Sequence, residues 1–186
     1  TGGVGGSIDG CTVSDAEVNG DVEGEDQTGG VGGEIRNADI GNTTVEGRVD
    51  GRDRVGGVGG TVADSTVDGA TVNGGVSGET NVDGIVGESI NNTITNTTVN
   101  GPVAQPPSSG TGTAANPYVV ATASDLAWIA QEPNADYVIT SDIDLAGTDW
   151  DPIGSDAEPF TGSLSSDDGS PRAISGLDGE PLFDVM

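Results

Sequence analysis

Residues 55–81 read VGGVGGTVADSTVDGATVNGGVSGETN, and the 27 residues before them, 28–54, read TGGVGGEIRNADIGNTTVEGRVDGRDR. Laid one over the other, they place Val31 on Val58, Ile40 on Val67, Val45 on Val72 and Val49 on Val76. The same window extends outward in both directions without a gap. Residues 1–27, TGGVGGSIDGCTVSDAEVNGDVEGEDQ, contribute Val4, Val13, Val18 and Val22, and residues 82–108, VDGIVGESINNTITNTTVNGPVAQPPS, contribute Ile85, Ile94, Val99 and Val103. Glycine recurs as strictly, at Gly3, Gly30, Gly57 and Gly84 and again at Gly20, Gly47, Gly74 and Gly101. Four copies at one spacing define a repeat architecture, in which each unit buries its apolar face against the next.

The spacing within each copy selects the kind of repeat. A helical unit would carry apolar residues three and four apart among Ala, Leu, Glu and Lys. Here short β-branched segments alternate with polar residues, and Gly, Asn or Asp follow every few positions. The expected fold is all-β: a right-handed parallel β-solenoid whose 27-residue coils each hold three short strands separated by glycine corners. Each strand stacks on its copy about 4.8 Å away. Ala16, Thr43, Ala70 and Thr97 would line a narrow interior. The fourth copy departs from the pattern, with Asp83 in place of a glycine and Ser89-Ile90 inverting the alternation, as expected of a terminal coil beside Pro102 and Pro106-Pro107.

Composition divides the chain in two. All six aromatics (Tyr118, Trp128, Tyr137, Trp150, Phe160, Phe183) and every leucine follow residue 117, whereas the first 105 residues can build a core only from Val, Ile, Ala and Thr methyls. The expected organisation is a solenoid over 1–105, a Pro/Ser/Gly/Thr-rich linker over 106–116, and a second segment over 117–186. In that segment PYVVAT reads as a strand, and Ser124 can N-cap a short helix, DLAWIAQ, ended by Pro133. Strand patterns return at Tyr137–Thr140, Ile143–Leu145, Phe160–Leu164, Ala173–Leu177 and Leu182-Phe183. A short amphipathic helix ahead of such strands suits a lid over the first coil of a second β-solenoid, whose apolar side chains and backbone groups would otherwise be open.

These residues resemble a known family. VGGVGGTVADSTVDGATVNGGVSG is similar to the GLUG-type repeat of large secreted and surface proteins, and NADYVITSDIDLAGTDWDPIGSDAEPFTGSLSSDDGSPRAISGL resembles the region that precedes such repeats. The resemblance implies a parallel β-helix in an extracellular, adhesin-like or structural polypeptide, and it carries no catalytic residues. The order is inverted here, repeats first, as if the chain spanned the end of one solenoid and the start of another. Thr1 opens in mid-solenoid and Leu182–Met186 is apolar. Two arrangements meet those features: a window from a long tandem array, or copies of the chain stacked head to tail, so that the expected partners are other copies or adjacent solenoid domains end to end.

Charge narrows the function. With 31 Asp and Glu against 5 Arg and no Lys or His, the formal charge is −26. No histidine-based nucleophile system, imidazole metal site or phosphate-loop lysine can be assembled. Nucleic acid is a poor partner for so acidic a surface. Arginine retained without lysine, amid scattered carboxylates, resembles proteins of extreme halophiles, where molar salt screens repulsion over about 3 Å; an ordinary acidic secreted protein is the alternative. There is no apolar run of 18 residues and no signal-like start, so no membrane insertion is expected from these residues.

Four carboxylates in SDIDLAGTDWD, Asp142, Asp144, Asp149 and Asp151, together with Asp167-Asp168, are oxygen-only ligands of the type calcium takes, although a solvated acidic face gives the same pattern. Sequons place glycosylation candidates at Asn42, Asn91 and Asn96; Asn42 and Asn96 share repeat position 15, an expected outward turn. Cys11 stands where the other copies carry Ala38, Ser65 and Asn92, and makes no internal disulfide. The expectation is a non-enzymatic extracellular or cell-surface fibre acting as a stiff rod, with surface glycans or a host receptor as further partners. A viral tail-fibre or spike component is the rival reading, and a polysaccharide-acting β-helix enzyme the second.

Overall fold

The computed structural model describes residues 1–186 apart from 168 and 178. It divides into two compact units, Thr1–Val103 and Ala104–Met186.

The first unit is the expected parallel β-solenoid. Each residue pairs with the residue 27 positions on: Ile8 with Ile35 and Ile35 with Val62, Val13 with Ile40 and Val67 with Ile94, Val18 with Val45 and Val72 with Val99, Val22 with Val49 and Val49 with Val76. Like therefore lies on like. The side chains fill the interior as ladders in which Val31, Ile35, Val45, Val49, Val55, Val58, Val62, Val67, Ala70 and Val72 are completely buried. At roughly 1.5–3 kcal/mol for each aliphatic side chain removed from water, these rungs supply the driving force that the absent aromatics would otherwise provide. Thr43 and Ala70 line the interior as expected, while their counterparts Ala16 and Thr97 in the outer coils are half-buried.

The coil itself is more finely divided than expected. It carries five short strands, in the first coil Gly5–Asp9, Thr12–Ser14, Glu17–Val18, Val22–Glu23 and Asp26–Gly29. Three corners take left-handed backbone, and most are built without glycine: position 10 (Gly10, Asn37, Asp64, Asn91), position 15 (Asp15, Asn42, Gly69, Asn96) and position 27 (Gln27, Arg54, Asn81) all have φ between 47° and 70°. Asn and Asp enter this region at lower cost than other L residues, so the corners are legible as polar positions once the role is known.

The strictly recurring glycines do something else. A Cβ on Gly47 would collide with the Gly20 carbonyl, one on Gly74 with the Gly47 carbonyl, and one on Gly30 with the Gly57 carbonyl. They are glycines because successive coils approach there backbone to backbone.

The second unit is also a parallel stack, with unequal coils. Tyr118–Val120 pairs with Asp136–Ile139, which pairs with Ser163–Ser166; Ile143-Asp144 pairs with Ile174-Ser175, and Ile153 bridges to Phe183. Its core is Val120, Leu126, Ile129, Tyr137, Leu145, Trp150, Ile153 and Phe160. The rings of Tyr118, Tyr137, Phe160 and Phe183 follow one another at centroid spacings of 5.6, 6.4 and 5.0 Å. The helix covers this core as expected, burying Leu126, Ala127, Trp128 and Ile129 over Ala123–Ala127 and a 3₁₀ turn, Trp128–Ala130. Its N-cap is Thr122 and not Ser124. Asp125 lies three residues after Thr122 and closes a capping box, Asp125 N–H donating to Thr122 Oγ1 (3.2 Å) and Thr122 N–H to Asp125 Oδ2 (2.9 Å).

Residues 106–116 do not hang free between the units. Val119 N–H donates to the Ser109 carbonyl and Asp136 N–H to the Gly112 carbonyl, Pro107 is buried, and Ala104 joins the second core.

Candidate functional site

Asp142, Asp144, Asp149 and Asp151 are all exposed. Asp142 accepts a hydrogen bond from Ala173 N–H (2.8 Å), 31 residues on, and so ties one coil to the next, whereas Asp144 accepts from Ala146 N–H (3.0 Å) and closes a local turn. Asp167 pairs with Arg172 at 2.7 Å, and Asp168 lies outside the described residues. Among the described residues no three of His, Cys, Asp and Glu come together as a ligand set for a metal. The expected cluster is a run in sequence that the backbone spreads along a strand and its turns.

The sequon asparagines are brought to equivalent places. Asn42, Asn91 and Asn96 are exposed and each occupies a left-handed corner. Their amides are not equally free: Asn96 Nδ2 donates to Asp68 Oδ1 at 2.7 Å and Asn91 Nδ2 to Asp64 Oδ1 at 3.3 Å. Cys11 is exposed at the edge of the first coil, where the other copies use position 11 to join coils: Ala38 N–H donates to Ser65 Oγ (3.1 Å) and Ser65 N–H to Asn92 Oδ1 (3.0 Å).

What residue-by-residue inspection missed is the outer wall. Acidic side chains are met one coil on by neutral donors. Asp53 accepts from Thr80 Oγ1 (2.7 Å) and Asn81 Nδ2 (2.8 Å). Asp68 accepts from Thr95 Oγ1 and Asn96 Nδ2, both at 2.7 Å. Glu46 accepts from Asn73 Nδ2 (2.9 Å), and Asn73 Oδ1 in turn from Asn100 Nδ2 (2.7 Å). Asp9 accepts from Asn37 and Asp50 from Ser77. The Thr80 hydroxyl, and after it the Asn81 amide, hold the Asp53 carboxyl below the usual carboxylate range, and Thr95 and Asn96 do the same for Asp68. The signal was present in the sequence as Thr, Ser or Asn standing 27 or 28 residues after an acid, and only the stacking rule turns it into a contact.

Arginine is used sparingly in the same wall, Arg36 on Glu34 (2.5 Å), Arg52 on Asp26 (3.2 Å) and Arg54 on Asp53 (3.2 Å). Chemically, the arrangement is an acidic face whose charges are spaced by hydroxyl and amide groups, around a core of mostly aliphatic side chains. Fold and wall together define a parallel β-solenoid with polar rungs. Comparison with protein-family models, with curated proteins and with solved structures finds no match.

Proposed function

We propose that the chain is a non-enzymatic structural part of an extracellular or cell-surface fibre, in which the coil stack acts as a stiff spacer in a salt-rich setting. The observation that carries this reading is the uninterrupted 27-residue register through all four coils, kept at every strand from Gly5 to Val103. A stack of this kind resists bending because bending must stretch parallel backbone ladders on one side. The resemblance of the repeats to secreted GLUG-type proteins supports the extracellular setting, and the excess of exposed carboxylates supports the saline one. Asn42, Asn91 and Asn96 are the acceptors for glycans on such a surface.

The test is mechanical. Duplicating residues 28–81 in place should lengthen the particle by about 4.8 Å for each added coil, read by small-angle scattering or electron microscopy, without loss of cooperative unfolding. A chain that instead thickens or becomes flexible would not serve as a spacer.

A further inference from the structure

Two of the sequons form a natural controlled pair. Asn42 and Asn96 each begin the tripeptide Asn-Thr-Thr, share repeat position 15, are exposed, and hold left-handed backbone at φ 47° and 52°. Tripeptide and local conformation therefore treat them alike. What differs is the residue each meets one coil back. Asn96 Nδ2 donates to Asp68 Oδ1 at 2.7 Å, and Thr95 Oγ1 shares the same carboxylate oxygen. Ser14 stands to Asn42 as Asp68 stands to Asn96: Ser14 pairs with Gly41 as Asp68 pairs with Thr95, the residue just before the asparagine in both cases. Ser14 offers no carboxylate.

Elsewhere in the stack the tethered state is the rule. Five asparagines occupy left-handed corners. Asn37 donates to Asp9 at 3.0 Å, Asn81 to Asp53 at 2.8 Å, Asn91 to Asp64 at 3.3 Å and Asn96 to Asp68 at 2.7 Å. Each of these amides closes on a carboxylate of the preceding coil, a charge-assisted bond that fixes the nitrogen in place. Asn42 is the exception. Asp15 occupies the matching corner of the preceding coil, as Asp64 does for Asn91, but the Asn42 amide leans the other way: a Cβ on Gly69 would lie 2.7 Å from Asn42 Oδ1. Gly69 is the one copy of position 15 without a side chain, and it leaves that space to Asn42. With the oxygen turned to Gly69, the nitrogen on the other branch of the amide carries no hydrogen bond among the described residues.

We infer that Asn42 is the glycan acceptor of the folded coil stack, and that Asn91 and Asn96 are wall rungs whose amides the preceding coil has already taken. The transfer forms a bond between Asn42 Nδ2 and the anomeric carbon of a sugar carried on a polyisoprenyl diphosphate. The bond from that carbon to the diphosphate breaks, the diphosphate leaves with its electron pair, and one Nδ2 proton passes to a base of the transferase. An amide nitrogen serves in this way only when it is handed over to the enzyme, so a carboxylate that already holds it opposes the reaction. The inference rests on the proposed glycan-bearing surface and narrows its three acceptors to one once the coils have closed.

The experiment takes the full chain, folded and free of glycan, with a membrane oligosaccharyl transferase and a polyisoprenyl-diphosphate-linked oligosaccharide, and follows each site by glycopeptide mass. Asn42 should be modified at least about tenfold faster than Asn91 or Asn96, the order of effect expected for releasing a charge-assisted hydrogen bond. Synthetic peptides 39–45 and 93–99, which carry the same tripeptide without the coils, should react at comparable rates. Exchanging the neighbours, Ser14→Asp with Asp68→Ser, should move the preference to Asn96 while both sequons stay intact. Asp68→Ser alone should raise transfer at Asn96 and leave Asn42 as it was. Equal transfer at Asn42 and Asn96 in the folded chain, no transfer at Asn42, the same preference in the peptides, or a preference that ignores the exchange would each overturn the inference. Native material without glycan would instead defeat the glycan-bearing reading of the surface and leave the preference of the folded chain standing.

Discussion

The two units solve one problem, closing a parallel stack around an apolar core, with different materials. In Thr1–Val103 every coil has the same length and most interior rungs repeat Val or Ile, so register follows from identity. In Ala104–Met186 the pairings span unequal lengths, 19 residues from Tyr118 to Tyr137, 27 from Asp136 to Ser163 and 31 from Ile143 to Ile174, and large rings replace ladders. Equal coils distribute stability over many small, interchangeable contacts. Unequal coils concentrate it in a few anchors such as Tyr137, fully buried with its hydroxyl donating to the Glu132 carbonyl at 2.8 Å; burial, with the Glu132 charge a lesser cause, pushes that phenol's pKa up.

That contrast can be broken most forcefully at the anchor. Tyr137→Ala should cost about 4 kcal/mol in the second unit by urea unfolding, whereas Val58→Ala in the ladder should cost distinctly less, about 2 kcal/mol, because a smaller volume is removed. Within the stack, Gly47→Val should cost about 3 kcal/mol, since backbone on the neighbouring coil cannot step aside, against no measurable loss for Gly20→Val. Thr122→Ala, which opens the capping box, should cost about 1 kcal/mol, read in the second unit's transition.

The smallest effect is electrostatic and belongs to the first unit. Asp53 and Asp68 have folded-state pKa values below their unfolded ones, so each contributes stability above the usual carboxylate range that is lost as pH falls through the depressed value. The unfolding midpoint of the chain should therefore drop below about pH 4, and Asp53→Asn with Asp68→Asn should flatten that limb by lowering the neutral-pH midpoint toward the acid one. A midpoint that rises on acidification would break the assignment of those rungs.

Legibility in the sequence followed the same division. The register of the first unit, its β class and its buried valines could be read directly, because a strict period maps sequence distance onto spatial contact. The corners could be read only in part: position 15, with Asn42, was expected as a turn, but Asn37 and Asp64 look like ordinary polar residues until the backbone shows them in the left-handed region, while the conspicuous glycines turned out to mark close approach between coils. In the second unit the helix was legible but its cap was not, since Thr122 and Ser124 both satisfy the composition rule and only the reach of Asp125 decides between them. Among the described residues the carboxylates of 142–151 are not brought together as a group of three, for a related reason. Proximity along the chain says nothing of convergence when the backbone runs extended through Ile143-Asp144 and then turns.

By itself the amino-acid sequence determined the period, the parallel pairing of like residues and the acidic character of the wall, because each depends only on residue type and spacing. Tertiary structure alone decided which acids meet donors across coils, which glycines are obliged by a neighbour, and that Asp83 turns its carboxylate onto Ile85 and Val86. Those outcomes depend on distances of a few ångströms between segments 27 residues apart, and a hydrogen bond or a steric clash exists only at such distances.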